Sequence, residues 1–324
     1  MLTDFSRKLI LLVNLGSPDE LSVVAIRKFL RIFLSDQRVV GLPKLLWYPI
    51  LYGIILPIRA KKLLHKYQQI WHSSNSSPLV YYTQEQSRLL QEKIANGYTV
   101  DYAFSYGSTS IAEVLNQEKY KHFESLIVIP LYPQYSSSTT ASVFDQLAKY
   151  YRAKYFIPEI QFINSFSSNP VYIKAIADKI RQHWELNGRA ERLLVSFHSV
   201  PVALIEKGDS YFEECKLTYF LLCKELAINP EIDAKLSFQS KFGRAKWIEP
   251  ATSDVVELFA KTQIKTVDVV CPGFMSDCLE TLEEIAIMNK EIFIANGGYD
   301  LRYISCLNDD PVVADILNEL IRKE

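Results

Sequence analysis

Eight short apolar runs punctuate this chain: Lys8 to Asn14, Thr99 to Ser105, Leu126 to Pro130, Gln161 to Asn164, Leu193 to Phe197, Lys235 to Gln239, Val267 to Val270 and Ile292 to Ala295, with longer amphipathic stretches between them. A strand apolar at nearly every position is buried on both faces, and strands alternating with helix-length connections build parallel sheets with crossover helices. The series divides at 150–159, where one group of strands ends and a second begins with similar spacing. This predicts an α/β fold of two doubly wound, Rossmann-like domains with parallel sheets and an interdomain cleft. The first domain spans 1–150 and the second 151–307, with 308–324 as a closing helix that carries Val312, Val313, Ile316, Leu317, Leu320 and Ile321 at helical spacing. A length of 324 residues with 48% hydrophobic content suffices for two cores.

Two segments at the ends of these runs carry chemistry. In Leu193-Leu194-Val195-Ser196-Phe197-His198-Ser199-Val200-Pro201 a buried strand stops at an imidazole just before a proline. His198 therefore stands at the carboxyl edge of a parallel sheet, where open α/β sheets bind ligands. In Cys271 to Ile285, a second strand breaks at Cys-Pro-Gly, and Ser276 or Asp277 caps a helix carrying Asp277, Glu280 and Glu284. At i, i+3 and i+7 these carboxylates share one helical face. An imidazole opposite an acidic stripe can bind a divalent metal and accept protons. Either feature alone also has a structural explanation, since acids in a first helical turn complement its dipole.

Other classes lose support. Lys plus Arg at 36 against Asp plus Glu at 37 leaves a net charge of -1, so no global field recruits nucleic acid. No G-x-x-x-x-G-K-S/T or G-x-G-x-x-G follows a strand, and there is no G-x-S-x-G elbow or H-E-x-x-H. The five cysteines, 215, 223, 271, 278 and 306, include no C-x-x-C pair, which fits buried reduced thiols. The apolar run Leu9 to Val13 suits a first strand better than a signal peptide, and the expected location is cytoplasmic.

Residues 39–58 are almost wholly apolar, with Lys44 as the only charge, and Pro43, Pro49 and Pro57 interrupt the run. Prolines break the helical ladder into pieces too short to cross a bilayer. Spacing favours a core segment; the alternative is an exposed lip that meets a membrane or a flat apolar ligand. Arg59, Lys61, Lys62, His65 and Lys66 make a basic rim beside it. Between Ile127 and Ala141 a strand passes through a Pro and Tyr loop into a hydroxyl-rich turn, read as a well-capped helix start that could also hold an anion.

The chain resembles the ferrochelatases, which insert ferrous iron into a porphyrin. The resemblance runs through Leu11-Leu12-Val13-Asn14-Leu15-Gly16-Ser17-Pro18, Lys66-Tyr67-Gln68-Gln69-Ile70-Trp71, Ser77-Pro78-Leu79, Pro130-Leu131-Tyr132-Pro133-Gln134-Tyr135-Ser136, Ser196 to Pro201, Phe238-Gln239-Ser240-Lys241-Phe242-Gly243, Trp247 and Asp277 to Ile285. It implies an enzyme, a lyase of haem biosynthesis, with His198 and Glu280 as the catalytic and metal-handling pair. It also implies an acidic path through Asp277 and Glu284, although capping alone would explain Asp277. Leu15, Arg59, Tyr106, Tyr135 and Trp247 would bind the porphyrin, Arg59 through a propionate. At Cys278 some relatives carry a histidine, so metal handling here would lean on carboxylates. The cysteine-rich extension that holds an iron–sulfur cluster in animal enzymes is absent, so no cluster and no cofactor beyond substrate Fe²⁺ is expected.

Metal insertion must desolvate Fe²⁺, bend the macrocycle and remove two pyrrole protons. A neutral imidazole, with a reference pKa of about 6.5, suits the last task, and carboxylates lower the cost of carrying a dication into an apolar site. Bending draws on binding to apolar and aromatic walls. A poorly soluble porphyrin also gives residues 39–58 a purpose, as a lip with peripheral membrane contact. The leading expectation is protohaem formation from protoporphyrin IX. Coproporphyrin III, with four propionates, is the alternative within this chemistry, and a non-catalytic haem or tetrapyrrole carrier the alternative outside it.

Overall fold

The computed structural model describes residues 8–120, 123–241, 243 and 245–322; Phe242 lies outside them. Its strands form two four-stranded sheets, every pairing parallel. The first sheet contains β1 (Lys8–Asn14), β2 (Tyr98–Phe104), β3 (Ser125–Pro130) and β4 (Glu159–Phe162), in the order β2-β1-β3-β4. The second contains β5 (Arg192–His198), β6 (Ala234–Gln239), β7 (Thr266–Val270) and β8 (Asp300–Ile304), in the equivalent order β6-β5-β7-β8. Each sheet thus reverses its winding beside its first strand, and the carboxyl ends there are where such sheets bind ligands. Asn14-Leu15 at the end of β1 and His198-Ser199 at the end of β5 occupy corresponding places.

The chain forms two compact bodies: one comprises residues up to Tyr132, Ser136–Asn164 and the chain from Val313, the other Pro133–Tyr135 and Ser165–Val312. In the first, Leu9, Leu11 and Val13 of β1 pack with Leu126 and Val128 of β3 and with Val143 and Leu147 of the helix Thr140–Tyr151. In the second, Leu194, Val267 and Val269 meet Val256, Ile285 and Phe293. Each fully buried aliphatic side chain stabilises its body by about 1.5–3 kcal/mol, which is why the wholly apolar strands lie at the centre of the sheets.

Three expectations are corrected. Ile292 to Ala295 is not a strand but part of the helix Lys290–Ala295, which ends at Gly297-Gly298; the last strand is β8. β4 pairs with β3, so the chain leaves the first sheet after Asn164 rather than at 150–159. The helix Thr140–Tyr151 has no side-chain cap from Thr139; the hydroxyls before it bond among themselves, with Ser136 Oγ receiving the Ser138 N–H at 3.3 Å.

The turn after β1 admits only glycine at position 16. Gly16 has φ +98°, and a Cβ there would lie 1.7 Å from the Tyr106 carbonyl oxygen. Residues 44–70 run as the helix Lys44–Ile50, a wide π turn at Leu51–Ile55 and the helix Leu56–Ile70, with Pro49 accommodated inside the first. Rather than entering the core, much of this stretch is exposed: Leu45 is 91% and Leu46 65% accessible, and Tyr52, Ile54 and Ile58 are about half so. Leu51, Leu56 and Trp47 are its buried anchors, the indole N–H donating to the Leu34 carbonyl at 2.6 Å. Among the described residues no helix is long and apolar enough to cross a membrane.

Candidate active site

His198 ends β5 half-buried, opposite Gln239 of β6 in the sheet register. Its Nδ1 lies 2.6 Å from the Ser199 carbonyl oxygen. A carbonyl only accepts, so the neutral ring carries its proton on Nδ1 and leaves the Nε2 lone pair as its proton-accepting or metal-binding end.

The facing carboxylates stand on a wide helix, Leu279–Asn289, with i→i+5 bonding. This overturns the expected α-helix capped by Ser276 or Asp277, because Cys278 is its N-cap. Glu280 and Glu284 fall one wide turn apart on it. Glu284 accepts the Ser240 N–H at 2.7 Å and the Ser240 hydroxyl on its other oxygen. Burial raises its carboxyl above the ordinary value against the opposing pull of the Ser240 hydroxyl and of His198, while the Glu280 charge adds to the rise. That electrostatic coupling ties His198, Glu280 and Glu284 to one neighbourhood. The Glu280 backbone carbonyl receives the Gln239 side-chain amide at 2.6 Å.

Asp277 precedes the wide helix and is 3% exposed. Its carboxylate accepts Thr281 Oγ1 at 2.9 Å, Tyr303 OH at 2.5 Å and Asn308 Nδ2 at 2.6 Å. Those bonds make it an anchor for the helix start. Cys278, where some relatives carry histidine, is buried, and burial first and Glu280 second push its thiol well upward. It stays a neutral thiol, a poor metal ligand.

Two further sequence candidates lie in this body. Lys246 to Ile248 runs beside Val200 to Val202, just after His198: Val202 N–H donates to Lys246 O at 2.8 Å and Ile248 N–H to Val200 O at 3.1 Å, with half-buried Trp247 between. Tyr135 is held through its N–H by Glu214, 2.9 Å, which also accepts Ser165 Oγ at 2.5 Å. Among the described residues no group of three or more His, Cys, Asp or Glu side chains comes together as a ready metal site.

The remaining candidates belong to the first body. Leu15 is half-buried just past β1, and its carbonyl accepts the Tyr106 N–H at 2.9 Å. The Tyr106 phenol is 4% exposed and donates to Asp36 at 2.7 Å, beside Ser142 Oγ at 2.9 Å. Burial pushes it well above the ordinary tyrosine value, and the phenol is committed to Asp36 and Ser142 while the backbone N–H holds the Leu15 turn. Arg59 is half-buried on the helix Leu56–Ile70. Sequence reasoning assigned no role to Gln239, Ser240, Glu214, Tyr303 or Asn308. The available signals were the Phe238 to Gly243 segment of the resemblance and, within it, the polar Gln-Ser pair at the end of the strand beside His198.

Among solved structures, the fold is similar to the sirohydrochlorin chelatase SirB from Bacillus subtilis subspecies spizizenii in complex with cobalt, with a TM-score of 0.56 at 12% identity over 98% of this chain and 94% of that one. SirB from Bacillus subtilis with Fe3+ gives a TM-score of 0.58 at 10% identity over 98% and 95%. The architecture is therefore chelatase-like, a likeness of fold. The Ferrochelatase family model matches residues 7–324. Ferrochelatases from Vibrio atlanticus (strain LGP32) and Methylibium petroleiphilum are 44% and 46% identical to this chain, over 96% of both chains for the first and over 93% of this chain and 83% of the relative for the second. The chain belongs to the ferrochelatase family, the enzymes of metal insertion into porphyrins.

Proposed function

We propose that this chain inserts Fe²⁺ into protoporphyrin IX to form protohaem, with His198 and Glu280 as the catalytic pair and Glu284 behind them. The observation that carries this reading is the imidazole at the reversal point of the second sheet, its Nδ1 turned to the Ser199 carbonyl, in electrostatic reach of Glu284, which in turn feels the Glu280 charge on the same wide helix. Insertion exchanges one Fe²⁺ for two pyrrole protons. The Nε2 lone pair accepts a proton from the macrocycle, and general-base assistance of this kind supplies about 10²- to 10⁴-fold in rate. Glu280 lowers the cost of bringing the dication into an apolar site, and Glu284, raised by burial, can carry a proton outward.

Asp277 is better read as the anchor of the helix than as part of the metal path. In the first body, Leu15 offers an apolar contact and Arg59 a propionate partner; in the second, Tyr135 and Trp247 supply aromatic walls. The exposed Leu45, Leu46, Ile54 and Ile58, with Lys61 and Lys62 alongside, form a lip for an apolar substrate and for peripheral contact with a membrane surface. No resident cofactor and no iron–sulfur cluster enters this reading, and we place the enzyme in the cytoplasm.

Anaerobic mixing of the protein with Fe²⁺ and either protoporphyrin IX or coproporphyrin III, followed by absorbance, tests the assignment. Faster metalloporphyrin formation from protoporphyrin supports it. Preference for coproporphyrin overturns the substrate, and tight porphyrin binding without insertion leaves a carrier.

A further inference from the structure

Gln239 ends β6 beside His198 and Ser240 follows it, and the side-chain amide of the first and both donors of the second reach the wide helix. Gln239 is 2% exposed; its carbonyl accepts the Ser199 N–H at 2.7 Å and its Oε1 accepts Ser196 Oγ at 2.7 Å. Its Nε2 donates to the Glu280 carbonyl at 2.6 Å, in the first turn of the wide helix. The amide thus ties strands β5 and β6 to the turn that carries Glu280.

Ser240 stands at φ +67°, in the left-handed region that non-glycine residues seldom occupy. That conformation aims both its N–H and its hydroxyl at the two oxygens of one carboxylate, Glu284. Strained backbone persists where its surroundings hold it in place, and such residues cluster at functional sites. We propose that Gln239 and Ser240 are positioning residues for metal insertion, Gln239 fixing the turn that bears Glu280 and Ser240 clasping Glu284 so that both carboxylates face the arriving cation in fixed orientation. A carboxylate with a donor on each oxygen makes a poor bidentate ligand and a good transfer point, because it can take a cation on a remaining lone pair without trapping it.

This inference rests on the proposed roles of Glu280 and Glu284. Its test is a double-mutant cycle on the full chain, with Ser240→Ala, Glu284→Gln and the pair assayed by steady-state insertion of Zn²⁺ into protoporphyrin IX. Ser240→Ala is expected to raise the KM for Zn²⁺ about tenfold, the scale of one hydrogen bond to a charged group, and to leave the KM for porphyrin unchanged. The double variant should be no worse than Glu284→Gln alone, because the hydroxyl acts through that carboxylate. Ser240→Gly, which relaxes the backbone and keeps the N–H, should show the same rise in KM, so that a folding defect in Ser240→Ala cannot stand in for the effect. Multiplying effects in the double variant, or a porphyrin KM that moves while the Zn²⁺ KM does not, would overturn the clasp in an active enzyme. A wild-type protein that inserts no metal would overturn the clasp and the proposed function together.

Discussion

Removing the Asp277 carboxylate separates an anchor from a metal ligand. In Asp277→Ala four donors lose their acceptor: Thr281 Oγ1, Tyr303 OH, Asn308 Nδ2 and, at 3.4 Å, the Cys306 N–H. An unsatisfied buried donor costs about 1–3 kcal/mol. Two of the four find partial substitutes, since Tyr303 OH lies 3.3 Å from Cys306 Sγ and Thr281 Oγ1 lies 3.2 Å from the Cys278 carbonyl. The expected loss is therefore about 4 kcal/mol, at the low end of four such costs. Asp277→Asn keeps one acceptor oxygen and should lose only about 1 kcal/mol. Urea unfolding of both variants and of wild type reads these numbers, with metal insertion measured on the same samples. The anchor account expects stability to follow that order and the folded Asn variant to retain most of its activity. An Asn variant with wild-type stability and insertion lowered about 100-fold or more would refute it and return Asp277 to the metal path.

Glu284 makes stability depend on pH. Its carboxyl is raised in the folded protein, so the native state holds that proton more tightly than the unfolded chain. Its contribution therefore becomes less favourable as pH rises from the ordinary carboxylate range through the raised value, and Glu284→Gln should remove that slope; an unchanged slope in urea unfolding across pH counts against the burial argument. Gly16→Ala places a Cβ 1.7 Å from the Tyr106 carbonyl oxygen at φ +98°, so thermal unfolding should fall sharply, and a variant that unfolds like wild type would refute the close approach. Leu45→Ser with Leu46→Ser removes apolar surface that is already exposed, so stability should stay within about 0.5 kcal/mol while sedimentation with anionic vesicles weakens. A large loss of stability would place those leucines in a core.

Strands buried on both faces announced themselves. β1, β3, β5 and β7 fall within about a residue of the apolar runs because the centre of a parallel sheet accepts little else, and the edge strands β2 and β6 are placed as closely. The other two edges did not. β8, Asp-Leu-Arg-Tyr-Ile, alternates polar and apolar as an outer strand does, whereas the more apolar Ile292 to Ala295 belongs to a helix; four apolar residues carry no period that separates the two. β4 is likewise an edge strand, which hid the true crossing point. His198, Glu280 and Glu284 were readable as residue types at strand and helix ends. The i→i+5 bonding of their helix was not, since no residue pattern marks it. Nor did anything in the sequence show that Ser240 takes a left-handed backbone, a place more often held by glycine or asparagine.

The central claim is that the His198 imidazole takes protons from the macrocycle, and single-turnover mixing of porphyrin-loaded protein with Zn²⁺ in a weakly buffered pH indicator tests it most directly. Wild type should release about two protons for each metalloporphyrin formed, as the exchange of a dication for two pyrrole protons requires. His198→Ala should bind porphyrin with unchanged affinity yet form product and release protons about 100-fold more slowly or worse. Insertion by His198→Ala at the wild-type rate would contradict the account and move proton removal to another group.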